Sequence, residues 1–149
     1  MKTGVLAQQS AKENPANLLN NGSLEVWTAG TTAAPDGWVA ELTPGILRDT
    51  GDTGYGSYSA KITAVGAGVE GIKYSLAGLK ASTVYTVSIR TKVTAGDTSQ
   101  MLTTGAGVNM VAVESTSATF ETKIGSFTTD GSGTTVVLKL TAKADTDIV

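Results

Sequence analysis

Residues 83 to 93 read TVYTVSIRTKV. Tyr85, Val87, Ile89 and Val93 fall on one side of an extended chain, and Thr86, Ser88, Arg90 and Lys92 on the other. That is the two-residue period of a strand with one buried and one wet face. The same alternation recurs on both sides of this stretch. In YSAKIT (58–63) it turns Tyr58, Ala60 and Ile62 inward, in GIKYSLAGL (71–79) Ile72, Tyr74 and Leu76, and in TTVVLKLTA (134–142) Val136, Leu138 and Leu140.

Weaker strands are expected at Leu24–Val26, Ile46–Arg48, 108–114 and 119–127. In the last of these, Phe120, Thr122 and Ile124 share a face and Phe127 falls out of phase after Gly125, so a bulge at Gly125 would return Phe127 to the core. Gly- and Asp-rich turns close the runs at GDTGYGS (51–57), TAGD (94–97) and TDGSG (129–133). No run has the spacing of a three-turn helix, and no segment repeats at a solenoid or propeller period. Eight to ten strands at this spacing predict an all-β fold, an antiparallel β-sandwich of jelly-roll type. Residues 1–16 are polar and without period, and are expected to form an extended N-terminal arm; 17–149 form the jelly roll.

The chain has 149 residues, the size of one ordinary domain. It contains no cysteine and no histidine, which excludes Cys/His zinc sites, Cys nucleophiles and Ser-His-Asp triads. With 11 basic against 13 acidic side chains and no basic block, it lacks the footprint of a nucleic-acid binder. The apolar piece Val5–Ala7 is too short for a secretory leader, and no run reaches membrane-spanning length. The expectation is therefore no nucleic acid and no membrane partner, with synthesis in a cytoplasm if Met1 is the true start. The glycine-rich GAGVEG and TTGAGVN read as loops, since no helix follows to make a phosphate cradle. Asp49, Asp52, Asp130, Asp145 and Asp147 stand in turn contexts and not as glycosidase pairs; no enzymatic activity is expected.

Both tryptophans lie in NLLNNGSLEVWTAGTTAAPDGW (17–38). This stretch, followed by GSYSAKI (56–62) and GLKASTVYTVSIRTKV (78–93), resembles the carbohydrate-binding-module-like jelly rolls that accompany secreted glycanases and occur in bacteriophage tail, fibre and capsid-accessory proteins. The resemblance runs from about Asn17 to the C-terminus and speaks to fold more than to function. It implies a last strand whose aspartate joins an early glutamate around a structural calcium. Here the sequence ends at DTDIV (145–149), so that strand reads as truncated. By resemblance, Glu25 would give a carboxylate to calcium, and Ser23 and Lys61 backbone carbonyls. Without the closing aspartate, an ordinary edge-strand role for Glu25 is the favoured alternative, with no cofactor required.

For sugar recognition the candidates are Trp38, beside the Pro35-Asp36-Gly37 turn, and Tyr55, in the glycine-rich turn, because an aromatic face stacks on the apolar face of a pyranose. The competing role for Trp38 is to pin its loop onto the sandwich, and Trp27 reads as packing at the sandwich edge. Resemblance, Met1, arm and missing catalytic groups together give as first expectation a non-enzymatic bacteriophage virion structural or accessory protein. It would assemble as a homo-oligomer, a trimer by family analogy, on major capsid or tail proteins, with weak glycan binding at most. The alternatives are a carbohydrate-binding module or adhesin, which would work extracellularly, and a self-assembling extracellular fibre subunit.

Overall fold

The computed structural model describes residues 6–9, 17–66, 69–95, 98–105, 110, 112–132, 135–143 and 147–148. Twelve strands and no helix occur among them: β1 (Leu6–Gln9), β2 (Val39–Glu41), β3 (Gly45–Asp49), β4 (Ser59–Thr63), β5 (Val69–Ala77), β6 (Val84–Thr91), β7 (Val93–Ala95), β8 (Thr98–Thr104), β9 (Val113–Ser115), β10 (Glu121–Thr128), β11 (Thr135–Lys143) and β12 (Asp147–Ile148). They form three antiparallel sheets, in the orders β1-β6-β10, β2-β5-β11-β8-β9 and β3-β4-β12-β7. Only Lys92 separates β6 from β7, so one line of chain leads from the three-stranded to the four-stranded sheet. The architecture is the expected all-β sandwich.

Alternation builds the core. Tyr85 and Val87 of β6, Ile72 and Leu76 of β5, Val136, Leu138, Leu140 and Ala142 of β11, and Ile62 of β4 are all buried. Tyr85 stacks on Phe127 with ring centroids 5.4 Å apart. The long central pairing of β11 with β5 runs unbroken from Thr135 opposite Ala77 to Lys143 opposite Val69.

Four strand expectations need correction. The pairing of β10 with β6 is continuous from Glu121 opposite Thr91 to Phe127 opposite Tyr85, so there is no bulge at Gly125. Phe127 is in regular phase and buried, while Ile124 is 65% exposed, so Phe120, Thr122 and Ile124 mark the outer face and not the core. Gly125 is on the inner face instead: a Cβ there would come within 2.8 Å of Met110 Sδ and 2.9 Å of Val113 Cγ2. Leu24–Val26 is not a strand, because Leu24 takes φ +58° and its N–H closes a turn on the Asn21 carbonyl. In the expected 108–114 strand, the strand proper is β9, with 106–109 and 111 outside the described residues. β8 was not foreseen at all, since Thr, Ser and Gln dominate it and Met101 is its main apolar anchor.

Leu6–Gln9, within the expected arm, lie as a strand along β6, with Leu6 opposite Ser88 and Gln9 opposite Tyr85. At the other end, Asp147 and Ile148 pair with both β4 and β7. Thr94 and Ala95 of the expected TAGD turn belong to β7, with 96–97 outside the described residues. In the expected 129–133 turn, Asp130 Oδ1 accepts the Ser132 N–H, with 133 outside the described residues.

Candidate functional site

The 17–38 stretch is a loop that staples itself. Asn21 Nδ2 donates to the carbonyls of Val26 and Asp36, and its Oδ1 accepts the Val26 N–H, all within 3.1 Å. The Asp36 carboxylate accepts the Thr28 N–H at 2.7 Å and its hydroxyl at 2.9 Å. Trp27 Nε1 donates to the Leu24 carbonyl at 2.6 Å. Trp38 is only 5% exposed; its Nε1 points at the Asn21 carbonyl, and its ring meets Tyr74 edge-on at 5.3 Å. Of its two expected roles, Trp38 takes the pinning one, because a ring this buried has no face to offer a sugar. Trp27, 7% exposed, is core as well.

Glu25 reaches from this loop to the glycine-rich turn. Its carboxylate accepts the N–H of Ser57 at 3.0 Å and of Tyr58 at 3.2 Å. Gly56 takes φ +83° beneath it, where a Cβ would sit 2.2 Å from Glu25 Oε1. These N–H groups present positive dipole ends to the carboxylate, which is the role a cation would otherwise fill. Ser23 lies in the 20–23 turn and Lys61 in β4. Among the described residues no three acidic side chains gather as metal ligands. Calcium takes six to eight oxygens, and a single carboxylate already occupied by N–H donors does not fit it.

Held by Glu25 at one end and by Asp49 Oδ1, which accepts the N–H groups of Gly51 and Asp52, at the other, the 51–57 turn presents Tyr55, 44% exposed. The ring does not stand alone. Arg90, on the outer side of β6, places its guanidinium carbon 4.2 Å from the Tyr55 centroid and 5.5 Å from that of Phe120. Arg90 Nη1 also donates to the Tyr55 hydroxyl at 3.2 Å. The turn backbone lies close over both partners: a Cβ on Gly54 would be 3.1 Å from Arg90 Nε and from Phe120 Cδ1. Lys92 stands 5.5 Å from the Phe120 centroid and is ion-paired with Asp52.

From this aromatic corner the outer face of β6 and β10 continues through Thr122, opposite Arg90, to Ile124, opposite Ser88, and Ser126, opposite Thr86. Rings and an aliphatic side chain thus lie along a row of hydroxyls. The four steps from Phe120 to Ile124 span about 13 Å at the rise of a strand. Tyr55 was legible in the sequence as an exposed ring; Phe120, Arg90 and Ile124 were not. The misleading signal was Glu121 and Lys123, charged residues on the inner side of β10. They are tolerated because they pair with each other at 3.1 Å and because Glu121 also accepts from Ser115 of β9.

No protein-family model matches the chain, and no curated protein sequence does. Solved structures do match. The CBM22-1 xylan-binding domain of Paenibacillus barcinonensis Xyn10C aligns with a TM-score of 0.59 and 17% identity over 99% of this chain and 91% of that one. The CBM22-1-CBM22-2 tandem domain of the same protein aligns with 0.58 and 20% identity over 79% of this chain, which spans 39% of the tandem. The C-terminal family 22 carbohydrate binding module of Clostridium thermocellum Xyn10B aligns with 0.55 and 12% identity over 76% of this chain and 81% of that one. At these identities the likeness establishes the fold: the chain has the β-sandwich of carbohydrate-binding modules.

Proposed function

We propose that this chain is a non-catalytic carbohydrate-binding module, with the outer face of β6 and β10 and the Tyr55 turn as its glycan platform. The observation that carries this reading is the aromatic corner: Tyr55, 44% exposed, is locked by Arg90 beside Phe120 at the head of a hydroxyl-lined sheet face. Rings fixed before the ligand arrives lose little freedom on binding. They offer an apolar surface to the C–H face of a pyranose, while Thr122 and Ser126 stand ready to exchange hydrogen bonds with its hydroxyls.

The solved neighbours, named as carbohydrate-binding modules, support this alternative among the sequence expectations. They lend nothing to the first expectation, a bacteriophage virion part with capsid or tail partners and a trimeric state. The test is retention on insoluble and soluble glycans by the full chain and by Tyr55→Ala. Loss of the ring is expected to weaken binding by about tenfold, roughly 1.4 kcal/mol, with the urea midpoint hardly moved. Unchanged retention by Tyr55→Ala and by Phe120→Ala would remove the platform.

A further inference from the structure

The cations of the molecule divide by what neutralises them. Lys92 pairs with Asp52, Lys123 with Glu121, and Lys73 and Lys139 with Glu41. Arg90 pairs with no carboxylate among the described residues: its contacts are the Tyr55 ring and hydroxyl and the Phe120 ring, and its Nε is buried without a hydrogen-bond partner. Arg48, stacked on Tyr58, also has an unpartnered Nε, but it shares the inner side of β3 with Ile46 and sits opposite buried Ala60. Among the described residues Arg90 is therefore the uncompensated charge of the glycan face. Its outward neighbours on β6 and β10 (Ser88, Thr122, Ile124 and Ser126) bring no acid to it.

A guanidinium stacked on an aromatic ring keeps its N–H edges directed sideways, in the plane where a carboxylate accepts two bonds at once. Part of its hydration is already lost beneath the Gly54 backbone, so an anionic partner gains more there than on an open surface. A uronic acid fits both halves of the corner. Its pyranose has a C–H face for the open side of Tyr55, and a carboxylate on that sugar or its neighbour in the chain is the partner that Arg90, stacked against the other side of the ring, lacks.

We infer that the platform is selective for acidic glycans bearing uronic acid residues, with Arg90 as the carboxylate anchor; this rests on the module reading and names its ligand class. The experiment is calorimetric titration of the full chain with polygalacturonate and with glucuronoxylan, each against the same polymer after its carboxyl groups have been reduced to alcohols. The acidic form of at least one pair is expected to bind about tenfold or more tightly than its reduced form, and added salt should erode that preference. Arg90→Gln should bring the acidic form down to the affinity of the reduced one, and Arg90→Lys should keep part of the difference. The near-ultraviolet spectrum of the buried Trp27 and Trp38 reports that each variant is folded. Equal affinity for acidic and reduced forms in both pairs would overturn the inference and leave the module standing. Absence of binding to these and to neutral glycans would overturn both.

Discussion

At the scale of single residues, the aromatic side chains sort into two kinds that composition could not separate. Trp38 is enclosed by Tyr74 and the Asn21 turn, whereas Tyr55 is enclosed on one side only. Trp38→Ala should therefore leave a cavity and lower stability by about 3 to 5 kcal/mol in urea unfolding. Tyr55→Ala should cost at most about 1 kcal/mol, the worth of an exposed cation–π contact. The reverse order would place the wrong ring in the platform. Glu25 belongs between these extremes. Glu25→Ala removes the acceptor for the Ser57 and Tyr58 N–H groups and should cost about 1 to 3 kcal/mol. It should also weaken glycan retention without touching the ligand, since it frees one end of the turn that carries Tyr55.

At the scale of strands, legibility followed burial on one face. β5, β6 and β11 could be read from the sequence because each alternates cleanly between apolar and polar side chains. β8 escaped because Thr98, Ser99 and Thr103 are buried polar groups at positions where a pattern reader looks for Val or Ile. Leu24–Val26 was misread because side-chain bonds from Asn21 stand in for a ladder and hold Leu24 left-handed, which no periodicity reveals. β10 was read one residue out of phase, and its true phase has a direct test. With Gly125 on the inner face, Gly125→Ala drives a Cβ into Met110 and Val113, an overpacking expected to cost about 1 to 3 kcal/mol. Ile124→Thr, on the outer face, should stay within about 0.5 kcal/mol of the parent. Had Ile124 been core, the second substitution would be the more damaging one, so the pair of urea midpoints decides the phase.

At the scale of the whole molecule, no disulfide assists the core, and two carboxylates tie strands together where the sheets meet solvent. Glu41 of β2 bonds to Lys139 of β11 and Lys73 of β5, clamping three neighbouring strands. Hydrogen bonds from Lys139 first and Lys73 second hold its carboxyl below the ordinary 4.5. Glu121 of β10 accepts from Ser115 of β9, joining the edges of two sheets, and that bond, with Lys123 adding to it, lowers its pKa as well. Groups whose folded pKa is depressed stabilise the fold fully above their unfolded pKa, and that stabilisation is lost as pH falls through the folded values. Stability should thus be level near neutrality and decline once the pH drops below about 4.5, the ordinary carboxyl value. Glu41→Gln should lower the urea midpoint at pH 7 and make the acid decline shallower, since the variant has no proton to take up there. Added salt should narrow the gap between variant and parent at pH 7, because both lysines of the clamp retain solvent contact. A variant that matched the parent at pH 7 and fell as steeply in acid would show that the Glu41 clamp contributes nothing, leaving the acid sensitivity to other carboxylates.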